Sequence, residues 1–389
     1  MRIKTPKIDY SLLLSITVLL VISLTFIYTA SSTKAMEAFG DDTFFLQRQM
    51  LRILFGFGVL LVIMRIDYHK LLDFSPIIFW VSLTLLIVLL VAPEEWTVRG
   101  TRRWLNISGF RFQPSEIAKF ALILMYARVL SLPDVDMRRF VDSVLPQLLL
   151  TGVVCSLIIL EPDMGTTLMV FMICIFMLFV AGAKLWHLAT VIAVGLLGAA
   201  VTLAFVPYQR TRLLDFWHSY TGKGEIGWQI KQSLISLGNG GITGIGLGGS
   251  RQKMHWLPDP FTDFIGSIIG EELGLLGTLF LLFLFIVIIF RGFRIALAAP
   301  DREGQLLAAG ITIAISLYAF MNIAVITHLA PTTGIPIPFV SYGGSSLVMN
   351  LFGVGILMNI NHHGSSKRRS PARGIKNSRS ISKKVLYGL

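Results

Sequence analysis

The stretch SLLLSITVLLVISLTFIY, residues 11–28, decides the fold. It holds no Asp, Glu, Lys or Arg over eighteen residues. At about 1.5 Å per residue, roughly twenty such residues cross a hydrocarbon core of about 30 Å. A helix is the form that satisfies its own backbone polar groups there. Leu168 to Val180 lies inside a second run of this kind. Over the whole chain 54% of the 389 residues are hydrophobic and 14% charged. Soluble domains carry about a quarter charged residues, so a soluble fold is excluded. The expected fold is all-α: a polytopic transmembrane helical bundle of about ten spans. Their limits are set at 11–32, 49–66, 72–93, 114–132, 144–161, 164–182, 185–206, 264–290, 304–329 and 340–361. One large extracytoplasmic loop, 207–262, belongs to the transmembrane domain 1–361. A basic disordered tail, 362–389, follows.

Charge placement tests the count. An even number of spans puts both termini on one side, and basic ends put that side in the cytoplasm. Alternation then makes Arg65, Lys70, Arg138, Arg139, Lys184, Arg291, Arg294 and Arg302 inward, so every inner loop is basic. Arg2, Lys4 and Lys7 precede a run without a small-residue cleavage site, which is read as a retained first span. The net charge of +12 comes largely from the tail, which has eight Lys or Arg and no acid after Asn361. Beside a span this reads as a topology signal facing anionic lipid, not as a nucleic-acid site. Cys155 and Cys174 lie in apolar runs without metal spacing and read as small buried hydrophobes.

Two outward segments oppose the charge bias. One, 93–113, carries Arg99, Arg102, Arg103 and Arg111. The other, 207–260, carries Arg210, Arg212, Lys223, Lys231, Arg251 and Lys253. Their cations point to an anion bound at the outer surface. The second segment also holds Trp217, Trp228, Trp256 and a glycine-rich run from Gly238. Trp228 to Leu237 reads as a short amphipathic helix at the membrane surface.

Five motifs offer chemistry. Asp263, where the long loop enters the eighth span, is either a helix N-cap or a half-desolvated base; Asp259 competes by the same logic. Glu116 and Lys119, at i and i+3 after Pro114, form an ion pair or, at membrane depth, a functional pair. Glu161-Pro-Asp-Met-Gly-Thr is a tight outward hairpin. Glu271 and Glu272 project about 100° apart on a helix, so they are expected to point in different directions, with one paired to a cation. Pro331 to Ser346, PTTGIPIPFVSYGGSS, reads as a re-entrant-like loop whose Ser341, Ser345 and Ser346 either line a cavity or pack helices. Gln229, in the amphipathic stretch, joins the candidate substrate-binding set.

At these motifs the chain resembles the SEDS family (shape, elongation, division and sporulation), from Asp9 to about Asn361. The pieces are Gly100-Thr-Arg-Arg-Trp, Gln113-Pro-Ser-Glu-Ile-Ala-Lys, Glu161-Pro-Asp-Met-Gly-Thr, Thr262-Asp-Phe-Ile with Glu271-Glu-Leu-Gly, and Pro338-Phe-Val-Ser-Tyr-Gly-Gly-Ser-Ser. Gly248-Gly-Ser-Arg-Gln-Lys, Asp301 and Met358-Asn-Ile-Asn are closer to the division branch than to the elongation branch. The family often has Gln at the position of Glu161, and Phe or Ala at that of Gly266. The resemblance implies a peptidoglycan glycosyltransferase that polymerises lipid II, a disaccharide-peptide on undecaprenyl pyrophosphate. It implies Asp263 as the general base and Glu116 and Lys119 as functional residues. Arg102, Arg103 and Arg212 are assigned as pyrophosphate clamps. A divalent cation, Mg or Mn, is an expected assistant to the pyrophosphate, without a dedicated metal site. The expected partners are a class B penicillin-binding protein transpeptidase, other divisome proteins and membrane lipid. The expected place is the bacterial cytoplasmic membrane at the septum. Two rival readings stay open, a lipid II flippase and an inactive scaffold. Few ionisable residues in the inner halves of the spans favour the enzyme.

Overall fold

The structure is a computed structural model, and it describes residues 8–93, 103–107, 110–253, 256–257 and 259–367. The elements in chain order are α1 Tyr10–Phe39, α2 Phe44–Ile63, α3 Tyr68–Asp73, α4 Ser75–Val91, β1 Leu105–Ile107, β2 Phe110–Phe112, α5 Pro114–Leu130, α6 Leu145–Leu160, α7 Met164–Val180, α8 Leu185–Phe205, α9 Pro207–Tyr220, α10 Trp228–Gly240, α11 Ile265–Ala298, α12 Arg302–Ile326 and α13 Gly344–Lys367. Each of the ten expected spans has its helix. Seven are long and apolar enough to cross a membrane: α1, α2, the run Phe140–Leu160 that ends in α6, α8, α11, α12 and α13. The helices α4 and α7 are apolar but shorter. Seventeen-residue α5 carries Glu116, Lys119 and Arg128 and is buried on nearly all sides. It is the central post, packed by α4, α12 and α7.

The departures from expectation have local causes. The third span starts as α3 and restarts as α4, with Pro76 in the first turn of α4, where its missing N–H costs no helical bond. A two-stranded antiparallel hairpin, β1–β2, with Leu105 opposite Phe112, leads straight into α5, so the fold is not purely helical. The long loop contains α9 as well as the expected amphipathic helix, α10. The helix α13 continues past 361, because its last turn packs on the end of α11: a Cβ on Gly364 would stand 2.6 Å from the Ala298 carbonyl oxygen. The remainder of the expected tail lies outside the described residues. The eighth span is broken. Gly274 takes φ 69° and ψ −163°, which splits α11 into 265–273 and 275–298; only glycine tolerates that backbone easily.

At the end away from Asp263, polar side chains tie helix ends together. Arg291 Nε donates to Asp9 Oδ2 at 2.9 Å, and Asp9 also caps α1. The Tyr68 hydroxyl donates to Asp301 Oδ2 at 2.6 Å, and the Tyr68 amide to Asn359 Oδ1 at 3.1 Å. Cys155 and Cys174 are free and buried, as expected.

Candidate active site

The site begins with Asp263. Contrary to the capping expectation, Phe264 holds the N-cap position of α11, and its carbonyl accepts from the Ser267 amide at 2.9 Å. The Asp263 carboxylate is therefore left for other use. Its backbone is pinned instead. Asn322 Nδ2, on α12, donates to the Asp263 carbonyl at 2.7 Å and to the Ile335 carbonyl at 2.6 Å. The carboxylate faces the irregular segment 331–343, where a Cβ on Gly334 would lie 3.5 Å from Oδ2. Burial pushes the acid up to about 6, with Asp259 and Asp163 adding to the rise and Arg103 and Arg212 opposing it. Asp259 itself is held by Lys34 of α1.

The two arginines reach this place from different elements. Arg103, just before β1, donates from Nε to the Glu161 carbonyl at 3.4 Å and from a terminal nitrogen to that of Pro162. Gln209 of α9 also donates to Pro162 O, at 3.2 Å. Arg212, one turn along α9, donates to Thr332 O at 3.3 Å and lies 4.7 Å from the centre of the Tyr208 ring. A guanidinium has five N–H donors, so each keeps donors for an anion while holding a loop. The two loops they hold touch each other: a Cβ on Gly165 would stand 2.7 Å from Thr333 O. Arg102 lies outside the described residues.

Glu116 and Lys119 form the expected pair, Nζ to Oε2 at 2.7 Å, with side-chain exposures of only 3% and 2%. The ammonium also sits 4.0 Å from the centre of the Tyr318 ring. Tyr318 and Asn322 are one turn apart on α12, so this helix carries the pair on one turn and Asp263 on the next. Above the pair, Gln113 bonds both the tenth span and the hairpin. Its amide donates to Ser345 Oγ at 3.0 Å, and Nε2 lies 3.5 Å from Asp163 Oδ2. Asp163 caps α7 through Thr166.

Ser341, Ser345 and Ser346 are buried, and their hydroxyls serve the backbone and neighbours. Ser341 accepts from the Ile337 amide at 2.9 Å, and Ser346 from Asn350 at 3.2 Å. This is the packing reading of the motif, with Ser345 alone tied to α5. Gln229 on α10 is half-buried, and no described contact joins it to Asp263. Lys253, counted among the outward cations, is taken up internally: it lies 3.5 Å from Glu272 and donates to Gly248 O at 2.7 Å. Glu272 thus has the expected cation. Both acids nevertheless meet one loop. Glu271 accepts from the Ser236 and Ser250 hydroxyls, and Glu272 from the Gly248 and Ser250 amides. The glycine-rich loop curls round the helix and meets both.

Asn322, Gln113 and Asp163 were not singled out from sequence as site-builders. An Asn inside an apolar span was the available signal for the first, since a buried amide needs partners. At Glu161, burial, reinforced by Asp163 and opposed by Arg103, pushes the acid up to about 9. The shift favours the neutral acid, which is close in shape and charge to the Gln often found there in the family. At Gly266 a Cβ would come within 2.8 Å of Ile326 Cδ1, a side-chain end, so this position is filled by neighbours.

Fold and site define a multi-pass membrane protein with an acid and two arginines gathered at one end of its bundle. Comparison identifies it further. Residues 10–366 match the model of the FtsW/RodA/SpoVE family, described as cell cycle proteins, and the chain belongs to that family. It is 38% identical to a probable peptidoglycan glycosyltransferase FtsW of Geobacter sulfurreducens, over 91% of this chain and 95% of that one. It is also 38% identical to the stage V sporulation protein E of Bacillus subtilis, over 93% and 99%. Among solved structures, a chain of a peptidoglycan synthase complex that coordinates polymerization and crosslinking superposes with TM-score 0.74, at 26% identity, over 92% of this chain and 98% of that one. Rod shape determining protein RodA of Thermus thermophilus gives 0.68, at 25% identity, over 94% and 99%.

Proposed function

We propose that this protein is a peptidoglycan glycosyltransferase that polymerises lipid II into glycan strands at the outer face of the cytoplasmic membrane, for septal division. The observation that carries the reading is the placement of Asp263. It is an uncapped carboxylate with its acidity moved toward neutrality, and two arginines from separate elements lie in its field. Glycosyl transfer needs a sugar hydroxyl to attack an anomeric carbon as the lipid pyrophosphate leaves. The hydroxyl proton goes to Asp263, whose raised pKa makes it a stronger base. Arg103 and Arg212 take the charge that develops on the leaving diphosphate, a task that suits the guanidinium fork. Glu116 and Lys119 keep a polar, charge-balanced floor beneath the reacting groups.

Mg or Mn is commonly held by one or two carboxylates together with substrate phosphates. Asp263 and Asp163, close enough to raise the acid's pKa, are the carboxylates that would hold such an ion and help it balance the diphosphate's charge. No step is assigned to a metal. The family's description as cell cycle proteins supports a division role, and the matched chain's place in a complex that coordinates polymerization and crosslinking supports a crosslinking partner; a class B penicillin-binding transpeptidase, with other divisome proteins, is the partner proposed. The even span count and the basic ends support cytoplasmic termini.

The test is purified protein, with its co-expressed transpeptidase, incubated with labelled lipid II in detergent. Glycan polymer is expected from the native chain and none from Asp263→Ala, which inserts and folds. Polymer at native yield from Asp263→Ala overturns the assignment of the base. Lipid II moved across vesicles with no polymer formed by either protein supports a flippase instead.

A further inference from the structure

The glycine-rich run 238–250, GNGGITGIGLGGS, contains no charged residue, although Lys231, Arg251 and Lys253 flank it. It lies on the break in α11. The Leu275 amide donates to Gly241 O at 2.9 Å and that of Leu276 to Ile242 O at 3.1 Å. The contact is backbone on backbone: a Cβ on Gly240 would lie 1.9 Å from Gly270 O, and one on Gly244 2.1 Å from Glu272 O. Only glycine permits that approach.

Six of the nine amides from Gly241 to Gly249 are bonded, that of Gly241 to Gly238 O at 3.4 Å. Gly244 donates to Gly240 O, Ile245 to Glu271 O, Gly246 to Glu272 O, and Gly249 to Gly246 O. Gly248 donates to Glu272 Oε2 at 2.9 Å, while Ser250 and Arg251 reach the two buried carboxylates at 3.4 Å each. These bonds turn most of the loop's backbone polar groups toward α11, as irregular backbone near hydrocarbon requires. Yet the side chains at the tip point away from this support: Ile242 is 68% exposed and Leu247 62%. Beside them Leu275, Leu276 and Leu279 of the span are exposed as well, which makes one apolar surface.

Helix geometry sets the depth. Arg291, paired with the helix-capping Asp9, marks the far boundary of the bilayer. From there sixteen residues, at about 1.5 Å each, place Leu275 about 24 Å up. The hydrocarbon is about 30 Å thick, so the break, with Gly241 and Ile242 on it, lies roughly 6 Å below the near boundary, while Glu271 and Glu272, about 30 and 28 Å up, hold the rest of the loop close to that boundary. Counting along α1 agrees: Lys34 is about 37 Å from Asp9, above the hydrocarbon, where it meets Asp259. Trp228 and Trp256, rings 6.0 Å apart and joined by an indole bond to Trp256 O, sit on the same loop system. Such a pair fits the headgroup belt.

We infer that residues 241–249 form a re-entrant loop dipped into the leaflet on the Asp263 side, with Ile242, Ile245 and Leu247 packed among lipid acyl chains. Glu271 and Glu272 are the acceptors that anchor this irregular backbone at the near boundary, from which its tip dips. The occupant of this surface is lipid, because the exposed Ile242 and Leu247 continue the exposed Leu275, Leu276 and Leu279 of a span, and the run itself carries no charge.

Spin labels on Ile242→Cys and, separately, Leu247→Cys test this in nanodiscs, with Lys223→Cys as the aqueous reference. The native cysteines are buried and stay in place. Accessibility to oxygen, which concentrates in hydrocarbon, is compared with accessibility to a polar nickel chelate. A ratio on the order of ten-fold above the reference is expected at both sites, because hydrocarbon excludes the chelate. Nickel access equal to the reference places the loop in water and overturns the inference. Protection from both reagents means that protein covers the surface, and overturns it equally. The readout is independent of catalysis.

Discussion

A single side-chain nitrogen of Asn322 holds the backbone of Asp263 and that of Ile335 together, at 2.7 and 2.6 Å. The acid and the irregular segment that faces it are therefore positioned by one amide on α12. Removing it leaves two buried carbonyls unpaired, each at a cost of about 1–3 kcal/mol. Asn322→Ala is expected to lower the turnover of lipid II polymerisation by roughly 10–100-fold while the protein still elutes as a folded species, since about 1 Å of misplacement near reacting groups costs on that order. Native turnover in this variant would mean that the strap is dispensable.

The pH profile carries its own sign. A general base acts in its ionised form. Asp263, raised by burial to about 6, is ionised above that value and protonated below it. The polymerisation rate is expected to climb with pH through about 6 and then level, and Asp263→Ala should lack that limb. A rate still undiminished at a pH near the ordinary carboxylate range would show that no such base limits the reaction.

Glu161→Gln is expected to be close to neutral. Burial keeps this acid protonated well above physiological pH, so the amide replaces a group of like shape and charge. Glycan yield within about two-fold of native is predicted, because no charge is removed. Glu161→Lys should fail, since it sets a cation beside the Arg103 guanidinium. Loss of activity in the Gln variant would mean that the proton is absent and the carboxylate is used.

The Glu116–Lys119 pair is predicted to separate stability from activity. Removing one partner strands a buried charge, at about 3–5 kcal/mol. Glu116→Ala and Lys119→Ala should each lower the thermal midpoint strongly in detergent. The double replacement Glu116→Gln with Lys119→Met should recover most of that loss yet polymerise poorly. A double variant as unstable as the singles would show that the pair's hydrogen bonds, not its charge balance, hold α5.

Much of this was legible beforehand, and the limits were physical. Apolar runs report spans because the bilayer imposes a length, so the ten helices appear where expected. The Glu116–Lys119 pair is local, and spacing alone finds it. Asp263 was found, but its capping reading failed, since a shift of one residue in the helix start decides whether a side chain meets the first amides. The break at Gly274 left no periodic trace: one glycine in an apolar run looks like any other until a second strand of backbone is seen against it. Spacing gave Glu271 and Glu272 different directions on the helix, but not the single loop that wraps it and serves both. Asn322 and Gln113 act between elements distant in sequence, which spacing cannot report.

The break at Gly274 also divides α11 mechanically. The short segment 265–273 is fastened to the outer loop by the bonds of Ile245 and Gly246 to its carbonyls, and by Ser236, Ser250 and Lys253 to its acids. To the lipid-embedded segment 275–298 it is joined in the chain by one glycine joint. The same loop also spans the joint, since Gly241 and Ile242 accept from the Leu275 and Leu276 amides beyond it. The loop is therefore a splint across the break, and it fixes the angle at which the short segment leaves the lipid-embedded one on the Asp263 side.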